Sequence, residues 1–440
     1  MARSLSRLAF DRQFSLENLR GIFDDKISNT RAIGRDATRS DRFAEQFDGQ
    51  SAIILRKVRD CTYEFTRYKD RLVSKGVGKI PRLLSIPTVR DRLVLRTLCE
   101  FLADMFPEAA ARKPHHYVRA IRDLANNAED GLVFLKVDIQ DYYGSISRNL
   151  LLKVLRRRFR IKEAIHLIEK AISTPTMRIG LPEPGIPQGL SISNVLASIY
   201  LMDVDAQMLK KWTYFRYVDD ILLLVESSKV EEAFAELNAM LKKKKLKCHP
   251  LGAAGSKTYV ASVDTGIEYL GFHIRKGLIS IRESSYKKMF FVLNKVLTNA
   301  KYRRVSPSFF WKLNLKITGC RFNGKQFGWV SFFRQSEDVK QFARMDGFLS
   351  SQMRKLGLSG RSQEVKSFLR SYYEIRFELQ DTNYIPNFDV LSIEDKRQHL
   401  VRLGVQRVDS MSDEEVELTF SRRVGRAVGE LEEDLFEAFS

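Results

Sequence analysis

The sequence predicts an α+β protein in which an antiparallel sheet carries the chemistry. Apolar residues recur at helical spacing over 90–106, which predicts a helix with one buried face. Short β-rich runs occur at 132–137 and on both sides of Asp219. Because helical and strand patterns do not alternate regularly along the chain, the order favours a mixed α+β class over a parallel α/β class.

The remaining elements are predicted from the same local signals. The first 70 residues mix short apolar groups with many charges, which indicates helices, and Gly and Pro around β-type residues at 75–87 indicate a hairpin or loop. Further along the chain we expect helices over 148–173, a Gly/Pro loop at 180–189, a helix from 193, and a helical region beyond 283 with a β-like interruption at 328–333.

The composition indicates a polyanionic partner. The 440 residues are enough for two or three packed units and include 74 Lys and Arg against 54 Asp and Glu, a formal net charge of +20. Nucleic acid is the first expected partner of so basic a chain, and a merely basic surface is the alternative. The last 30 residues carry nine acids and three arginines, so about +26 remains on the body, where the polyanion should bind.

The cysteines and the hydropathy pattern exclude several other classes. Four scattered cysteines predict neither a zinc site nor a disulfide framework. No apolar run approaches the roughly 18 residues that a membrane-spanning helix requires. We therefore expect a cytoplasmic protein with reduced thiols and no membrane contact.

Two acidic motifs follow hydrophobic runs. The run FLKVDIQDYYGSI at 134–146 delivers Asp138 and then Asp141, and an acid at a strand exit either caps the next helix or binds a metal. The run YFRYVDDILLLV at 214–225 holds Asp219 and Asp220 between two β-rich arms. Adjacent carboxylates repel one another, which favours a bound cation, although turns also favour aspartate.

A third motif, GIPQGLSISNVLA, lies between them at 185–197. Pro187 and Gly189 shape a loop that enters a helix capped by Ser191 or Ser193. Such a loop can place backbone N–H groups and the Gln188 amide against a nucleotide, and the alternative is an ordinary helix entry.

The order of these motifs resembles the palm of the reverse transcriptases. Asp138, PQG at 187–189, YVDD at 217–220, Lys257 and YLGF at 269–272 follow one another within 135 residues. The similarity covers about residues 70–340, including RLLSIPTVRDR at 82–92 and GWVSFF at 328–333. It implies a right-hand polymerase with a helical N-terminal region at 1–70, fingers and palm at 71–282, a helical thumb at 283–355 and a helical C-terminal extension with an acidic tail at 356–440.

The resemblance also implies a two-metal active site. Two Mg²⁺ ions, with Mn²⁺ as a possible substitute, would be held by the carboxylates of Asp138, Asp219 and Asp220 and by the Ile139 carbonyl, because Mg²⁺ selects hard oxygen ligands. Asp141 is the weaker acid of the set.

Other positions match the nucleotide-binding residues of the family. Arg82, with Lys75 or Lys79, resembles the fingers residues that grip the triphosphate, and Gln188 and Gly189 belong to the nucleotide-binding loop. Tyr143 matches the aromatic residue under the sugar, which implies a preference for deoxynucleotides, the alternative being that Tyr142 and Tyr143 are core aromatics. Lys257 matches a lysine that protonates pyrophosphate, the alternative being a solvated loop cation.

Within the family, the chain is most similar to the bacterial defence-associated reverse transcriptases of the unknown groups and their abortive-infection relatives. That similarity implies anti-phage defence, an RNA template that is a dedicated non-coding RNA, a DNA product and deoxynucleoside triphosphates as substrates. An intron-type or other mobile-element reverse transcriptase is the enzyme alternative. A degenerate polymerase that serves as an RNA-binding scaffold is the non-enzyme alternative.

Overall fold

The fold was analysed in a computed structural model that describes residues 2–28, 30, 32–73, 81–110, 112–176, 185–302 and 307–439. Lys75 and Lys79, together with positions 180–184 of the expected Gly/Pro loop, lie outside the described residues. Within the described ranges, no helix combines the length and the apolar character needed to cross a bilayer.

Helices and antiparallel strands make up the described chain. The helices are α1 (Ala2–Gln13), α2 (Leu16–Lys26), α3 (Ser40–Glu45), α4 (Phe47–Arg59), α5 (Val89–Met105), α6 (Pro114–Asn126), α7 (Tyr142–Ser145), α8 (Arg148–Arg158), α9 (Lys162–Ser173), α10 (Ser193–Met208), α11 (Val230–Lys243), α12 (Glu283–Tyr302), α13 (Pro307–Thr318), α14 (Trp329–Phe332), α15 (Val339–Lys355), α16 (Phe368–Phe377), α17 (Ile393–Arg402) and α18 (Asp413–Phe439). The strands are β1 (Lys69–Val73), β2 (Arg82–Ile86), β3 (Leu132–Asp138), β4 (Thr213–Tyr217), β5 (Asp220–Glu226), β6 (Tyr259–Ser262), β7 (Ile267–Tyr269), β8 (Phe272–Arg275), β9 (Leu278–Ile281), β10 (Cys320–Phe322) and β11 (Lys325–Phe327).

The chain divides into two compact units. The first comprises residues 1–113 and 129–262, and the second comprises residues 114–128 and 263–440. The first unit contains a four-stranded sheet with the strand order β4-β5-β3-β6 and the separate hairpin β1-β2. All of these pairs are antiparallel, which confirms the predicted sheet type.

Side-chain alternation gives the four-stranded sheet two different faces. Leu135 and Val137 of β3 lie opposite Leu223 and Ile221 of β5, and all four side chains are buried in one hydrophobic core with the helices of the first unit. Successive residues of a strand point to opposite faces, so Asp138 and Asp220 lie on the other face. The register therefore brings two acids together at one end of the central strand pair.

The predicted helix over 90–106 is α5, and buried hydrogen bonds around Asp91 fix its first turn. Thr88 caps the helix by accepting the Asp91 N–H. The Asp91 carboxylate in turn accepts hydrogen bonds from the Tyr63 and Thr88 hydroxyls and from the Thr66 N–H. Asp91 is fully buried, and these bonds offset the cost of removing its charge from water.

The second unit holds the three-stranded sheet β7-β8-β9 and the hairpin β10-β11. The β-like interruption expected at 328–333 is wrong: the hairpin lies at 320–327, and Trp329–Phe332 form the short helix α14. The reason is packing, because the rings of Trp329 and Phe333 lie 4.7 Å apart between centroids, tilted by 52°, and are both buried. Residues four apart meet on one face of a helix, whereas the longer rise of a strand would carry the two rings out of contact.

The helices of the first 70 residues, the strand at 132–137, the helices over 148–173 and the helix from 193 correspond to described elements. Of the hairpin or loop expected at 75–87, positions 75–80 lie outside the described residues, and the described part holds β2. The division into N-terminal region, fingers and palm, thumb and extension stays a prediction.

Candidate active site

Three aspartates meet at one end of the central strands. Asp138 is the last residue of β3 and pairs directly with Asp220, the first residue of β5. Asp219 precedes Asp220 in the two-residue turn that joins β4 to β5. Directly opposed residues of antiparallel strands have Cβ atoms about 4.5–5.5 Å apart. The backbone therefore holds the three carboxylates of the predicted site close together.

The turn that presents these acids is strained. Val218 has a φ of 60°, the left-handed region, which a β-branched side chain enters at a cost of about 1–3 kcal/mol. The first central residue of a two-residue hairpin turn must adopt this conformation, and glycine is the residue that does so freely. A neighbouring group has to hold the turn in place.

Arg216 supplies that support from beneath the turn. Its Nη1 donates to the Val218 carbonyl at 2.9 Å, and its Nε donates to Asp205 Oδ1 at 2.7 Å. The Tyr214 hydroxyl donates to the same Asp205 oxygen at 2.9 Å. The Arg216 side chain is only 7% exposed, so this ion pair is screened little by water. The buried pair fixes the backbone that carries Asp219 and Asp220.

Burial and mutual repulsion raise the pKa values of the acids in the turn. Burial is the main cause for both, and the negative charge of Asp138 adds to it. The pKa of Asp220 is raised to about 6, and the pKa of Asp219 is raised above its usual range. Carboxylates that a fold keeps close together despite burial and mutual repulsion are typical of a site that binds a cation.

Two lysines and a histidine stand beside the acids in this structure. Lys257 Nζ and His249 Nε2 each lie 3.2 Å from Asp138 Oδ2, and Lys136 Nζ lies 3.3 Å from Asp220 Oδ1. Among the described residues, no three His, Cys, Asp or Glu side chains converge closely enough to hold a metal ion by themselves. The carboxylates are turned towards these side chains, and the two lysines neutralise the same charge that a metal ion would neutralise.

The donor set nevertheless fits hard divalent ions. It consists of the carboxylate oxygens of the three aspartates, and the hydrogen bonds of the main chain at the end of β3 leave the Ile139 carbonyl as a further oxygen ligand. The His249 N–H donates to the Asp138 carbonyl and the Gln140 N–H donates to the Lys247 carbonyl. The N–H and C=O of Ile139, between them, therefore point away from that neighbour and towards the β5 side. This is the direction that the predicted role of Ile139 requires.

The loop before α10 packs tightly on two other segments. Gly185 has a φ of +88°, and a Cβ there would lie 2.3 Å from the Tyr143 carbonyl oxygen. Gly189 has a φ of +98°, and the preceding Gln188 carbonyl accepts the Ser85 N–H of β2 at 2.8 Å. The structure thus joins the predicted nucleotide loop to the strand that begins at Arg82.

The predicted cap of this helix is wrong. Ile192 is the N-cap residue of α10 and forms no side-chain cap. The Ser193 hydroxyl instead donates to the Pro187 carbonyl at 2.6 Å, which fastens the loop to the first turn of the helix. Ser191 and Ser193 are therefore not caps, because the loop uses the hydroxyl of Ser193.

Arg82 and Tyr143 lie in the electrostatic neighbourhood of the acids. The charge of Arg82 lowers the pKa of Asp219 and that of Tyr143, although burial is the larger effect on both. The Tyr143 hydroxyl donates to Asn194 Oδ1 at 2.6 Å. Tyr142, in contrast, is a core residue whose hydroxyl donates to the buried Ala197 carbonyl at 2.6 Å.

Several site residues were not predicted from the sequence. Lys136 and His249 contact the acids, and Arg216 contacts their turn and pairs with Asp205. The Oγ1 of fully buried Thr258 accepts the Asp138 N–H at 3.2 Å. Lys136 could have been predicted from the sequence, because a residue two positions before Asp138 in the same strand lies on the same face of the sheet. The others become neighbours only through the tertiary fold.

Raising the pH should destabilise the metal-free protein through Asp220. Its pKa is about 6 in the fold against 3.8 for the free side chain, so the folded state binds the proton more tightly. Between pH 4 and 6 this group should therefore lower the free energy of unfolding by up to about 3 kcal/mol. Urea titrations with a chelator, across that range, measure the effect.

The matched control for this measurement is Asp220→Asn, which cannot titrate at that position. The difference in unfolding free energy between the two proteins should change between pH 4 and 6.5 and then level off. A constant difference would contradict the raised pKa. Added Mg²⁺ should stabilise the natural protein more at pH 7.5 than at pH 5, because protons compete with the ion for the carboxylates.

The segment that contains the three acids is similar to a known protein family. Residues 73–274 match the family described as reverse transcriptase (RNA-dependent DNA polymerase). The chain is 25% identical over 251 residues to Protein YkfC of Escherichia coli K12, covering 46% of this chain and 65% of YkfC. It is 27% identical over 174 residues to an uncharacterized 91 kDa protein in the cob intron of Schizosaccharomyces pombe, covering 37% of this chain and 21% of that protein.

A solved telomerase from Candida albicans, in complex with a fragment of telomeric RNA, is similar with a TM-score of 0.42 and 12% identity, covering 86% of this chain and 69% of that chain. The chain spans less than two thirds of the length of the two curated relatives. The matched segment contains Asp138, Asp219 and Asp220. Residues 73–274, the segment that holds the three acids, are therefore similar to the reverse transcriptase family.

Proposed function

We propose that the chain is an RNA-directed DNA polymerase that adds deoxynucleotides to a 3′ hydroxyl on an RNA template. One observation carries the proposal: the fold brings Asp138, Asp219 and Asp220 to one end of β3 and β5 within the segment that is similar to the reverse transcriptase family. Phosphoryl transfer needs alignment of the reactants and neutralisation of charge more than covalent help. A cluster of half-buried carboxylates can bind and concentrate positively charged ions.

The three carboxylates, with the Ile139 carbonyl, would hold two divalent ions, Mg²⁺ or in its place Mn²⁺. When bound, such ions stabilise charge on the attacking and leaving oxygens. Lys257 and Lys136 would then be released from Asp138 and Asp220, because the ions take over the neutralisation. The exposed Lys257 side chain, once released from Asp138, would turn towards the leaving pyrophosphate.

The incoming nucleotide would bind between β2 and the loop at 185–189. Arg82, with Lys75 or Lys79, would grip the triphosphate, since a guanidinium presents fixed donors to phosphate oxygens. Gln188 and Gly189 would line the base and sugar. What supports this placement is the hydrogen bond from Ser85 to the Gln188 carbonyl, which ties the two segments together.

Replacing Tyr143 with Ala should raise ribonucleotide incorporation relative to deoxynucleotide by about tenfold or more. The ring would no longer collide with a 2′ hydroxyl, and steric rejection in a pocket is worth about that much. A competition assay with both nucleotides measures the ratio. Tyr143→Phe is the control, because it keeps the ring and loses only the hydrogen bond to Asn194, so discrimination should persist. Unchanged discrimination in the Ala variant would assign Tyr143 to the core.

In its biological setting, we propose that the enzyme acts in the bacterial cytoplasm in defence against phage and copies a non-coding RNA encoded beside its gene. The matched segment ends at residue 274, and the helices beyond it provide further surface for a structured RNA. The similarity of the motifs to defence-associated enzymes supports this role.

The test compares two bacterial strains that carry the gene with its flanking region, one natural and one with Asp219→Ala and Asp220→Ala. Both are challenged with phage, and complementary DNA is sequenced from both. We expect resistance and DNA copies of the adjacent RNA only in the natural strain. Equal resistance would contradict defence by synthesis and would favour the RNA-binding scaffold.

A mobile-element reverse transcriptase is the second candidate. It is favoured by the similarity to the fission yeast protein in the cob intron. The same sequencing experiment separates the two functions, because an intron-type enzyme would yield DNA copies that map to intron sequence.

A further inference from the structure

A second site of strong positive charge lies on the first unit, in a groove between α8 and α9. The groove has a volume of about 790 Å³. Five of its nine lining residues are Lys or Arg, and one, Glu169, is an acid. The cations are Lys153, Arg156, Arg157, Arg160 and Lys162.

The local sequence produces this groove directly. Residues 148–162, RNLLLKVLRRRFRIK, contain seven Lys and Arg and no acid. Positions 153, 156 and 157 follow the i, i+3, i+4 spacing that places side chains on one face of α8, and Arg160 lies in the short connection between α8 and α9. Leu151 and Leu155 are fully buried and anchor α8 to the core. The fold therefore gathers these cations, with Lys162 at the start of α9, around one groove.

Few of these charges are neutralised by the protein itself. Arg156 pairs with Glu169, and Arg158, outside the groove, pairs with Glu108. In the described part of the chain, Lys153, Arg157, Arg160 and Lys162 have no acid within 4 Å. Four unneutralised cations in one groove repel one another, so the fold maintains an arrangement that favours a polyanion.

The residues beneath the groove are held in place by packing and by a hydrogen bond. Ile165 is buried there, and His166 Nε2 lies 3.2 Å from the Tyr63 carbonyl oxygen. Leu167 and Ile168 of α9 are fully buried on its other side. A groove on two anchored helices is organised before binding, which lowers the entropy cost of binding.

We propose that this groove binds the phosphate backbone of a folded RNA, separately from the active site. The inference rests on the proposed function, which requires an RNA partner, and adds where that RNA is held. Arginine is suited to phosphate because its planar fork donates two hydrogen bonds at once. An acidic protein is the other occupant that the charge would accept, and the test includes it.

The test compares a groove variant with a control of equal charge. The groove variant carries Lys153→Gln, Arg157→Gln and Arg160→Gln. The control carries Arg35→Gln, Arg39→Gln and Arg42→Gln, three exposed cations elsewhere in the first unit. The probe is a labelled RNA hairpin of defined sequence, and its dissociation constant is measured from about 50 to about 200 mM salt.

Each lost phosphate contact should lower the slope of log K against log salt by about 0.7 to 0.9. When the salt rises from about 50 to about 200 mM, the affinity of both proteins for the hairpin should fall. The factor by which it falls should be roughly 20- to 40-fold smaller for the groove variant than for the natural protein. The control should keep the natural slope. Extension of oligo(dT) on saturating poly(rA) should be unchanged in both variants, because the groove is not part of the active site.

Three outcomes would overturn the proposal: natural slopes in both variants, equal loss in both variants, or displacement of the hairpin by polyglutamate as readily as by RNA. Hydrogen exchange of the natural protein gives a measurement without mutation, and α8 and α9 should become protected when the hairpin binds. Absence of that protection would equally contradict the site. Failure of the natural protein to extend poly(rA)–oligo(dT), with hairpin binding intact, would contradict the proposed polymerase and leave the groove standing.

Discussion

Asp219→Asn should reduce metal-dependent nucleotide incorporation by about a thousandfold or more. Charge stabilisation at the transferred phosphoryl group is worth factors of this size in related chemistry. The fold should survive, because the replacement removes a buried charge whose pKa is already raised by its surroundings. Primer extension on a primed RNA template, with Mg²⁺ in excess, measures the rate, and RNA binding should be unchanged.

Asp141→Asn is the matched control. Asp141 lies three residues beyond Asp138 and has a φ of 41°, which asparagine also tolerates. Its replacement should change the rate only by a small factor. An Asp219→Asn protein that extends the primer at the natural rate would show that the three acids are not the metal site.

Arg216→Ala should cause the largest loss of stability of any single change near the site. It leaves the partly buried Asp205 without its cation and removes the donor to the Val218 carbonyl. Breaking a buried ion pair from one side costs about 3–5 kcal/mol. Chemical denaturation measures the loss, and incorporation by the folded fraction should fall about a hundredfold because the turn shifts.

Arg216→Lys separates the two effects. It retains the charge beside Asp205 but cannot donate to both Asp205 and Val218, so stability should be largely kept while the rate still falls. Arg12→Ala, which breaks the more exposed pair with Asp104, should change stability by less than about 1 kcal/mol. Natural activity and stability in Arg216→Ala would show that the turn does not need this support.

The sequence predicted best those features that depend on a single helix or strand. Alternation and apolar runs predicted β3 and the two arms around Asp219, and the acids at their ends followed. A run such as GWVSFF was misread because aromatic residues suit both strands and helices, and only the packing of Trp329 on Phe333 decides between them.

Residues that act through long-range contacts could not be found in this way. Asp205 and Arg216 lie on different elements, and their pairing depends on how α10 packs against β4. The run of four lysines at 242–245 is conspicuous in the sequence, but Lys244 pairs with Asp203 and is largely buried. The groove between α8 and α9 depends on tertiary contacts in the same way, because its lining residues come from both helices and from the segment that joins them.

The order of the strands in the sheet also governs when the protein can become active during its synthesis. β3 lies between β5 and β6, strands that leave the ribosome long after it. Pairings between distant segments form slowly, because a long loop must close before the contact is gained. Asp138 receives its cross-strand partner only with Asp220, and its Thr258 and Lys257 contacts only later. A nascent chain that stops before residue 257 should therefore have all three acids but an unfinished site.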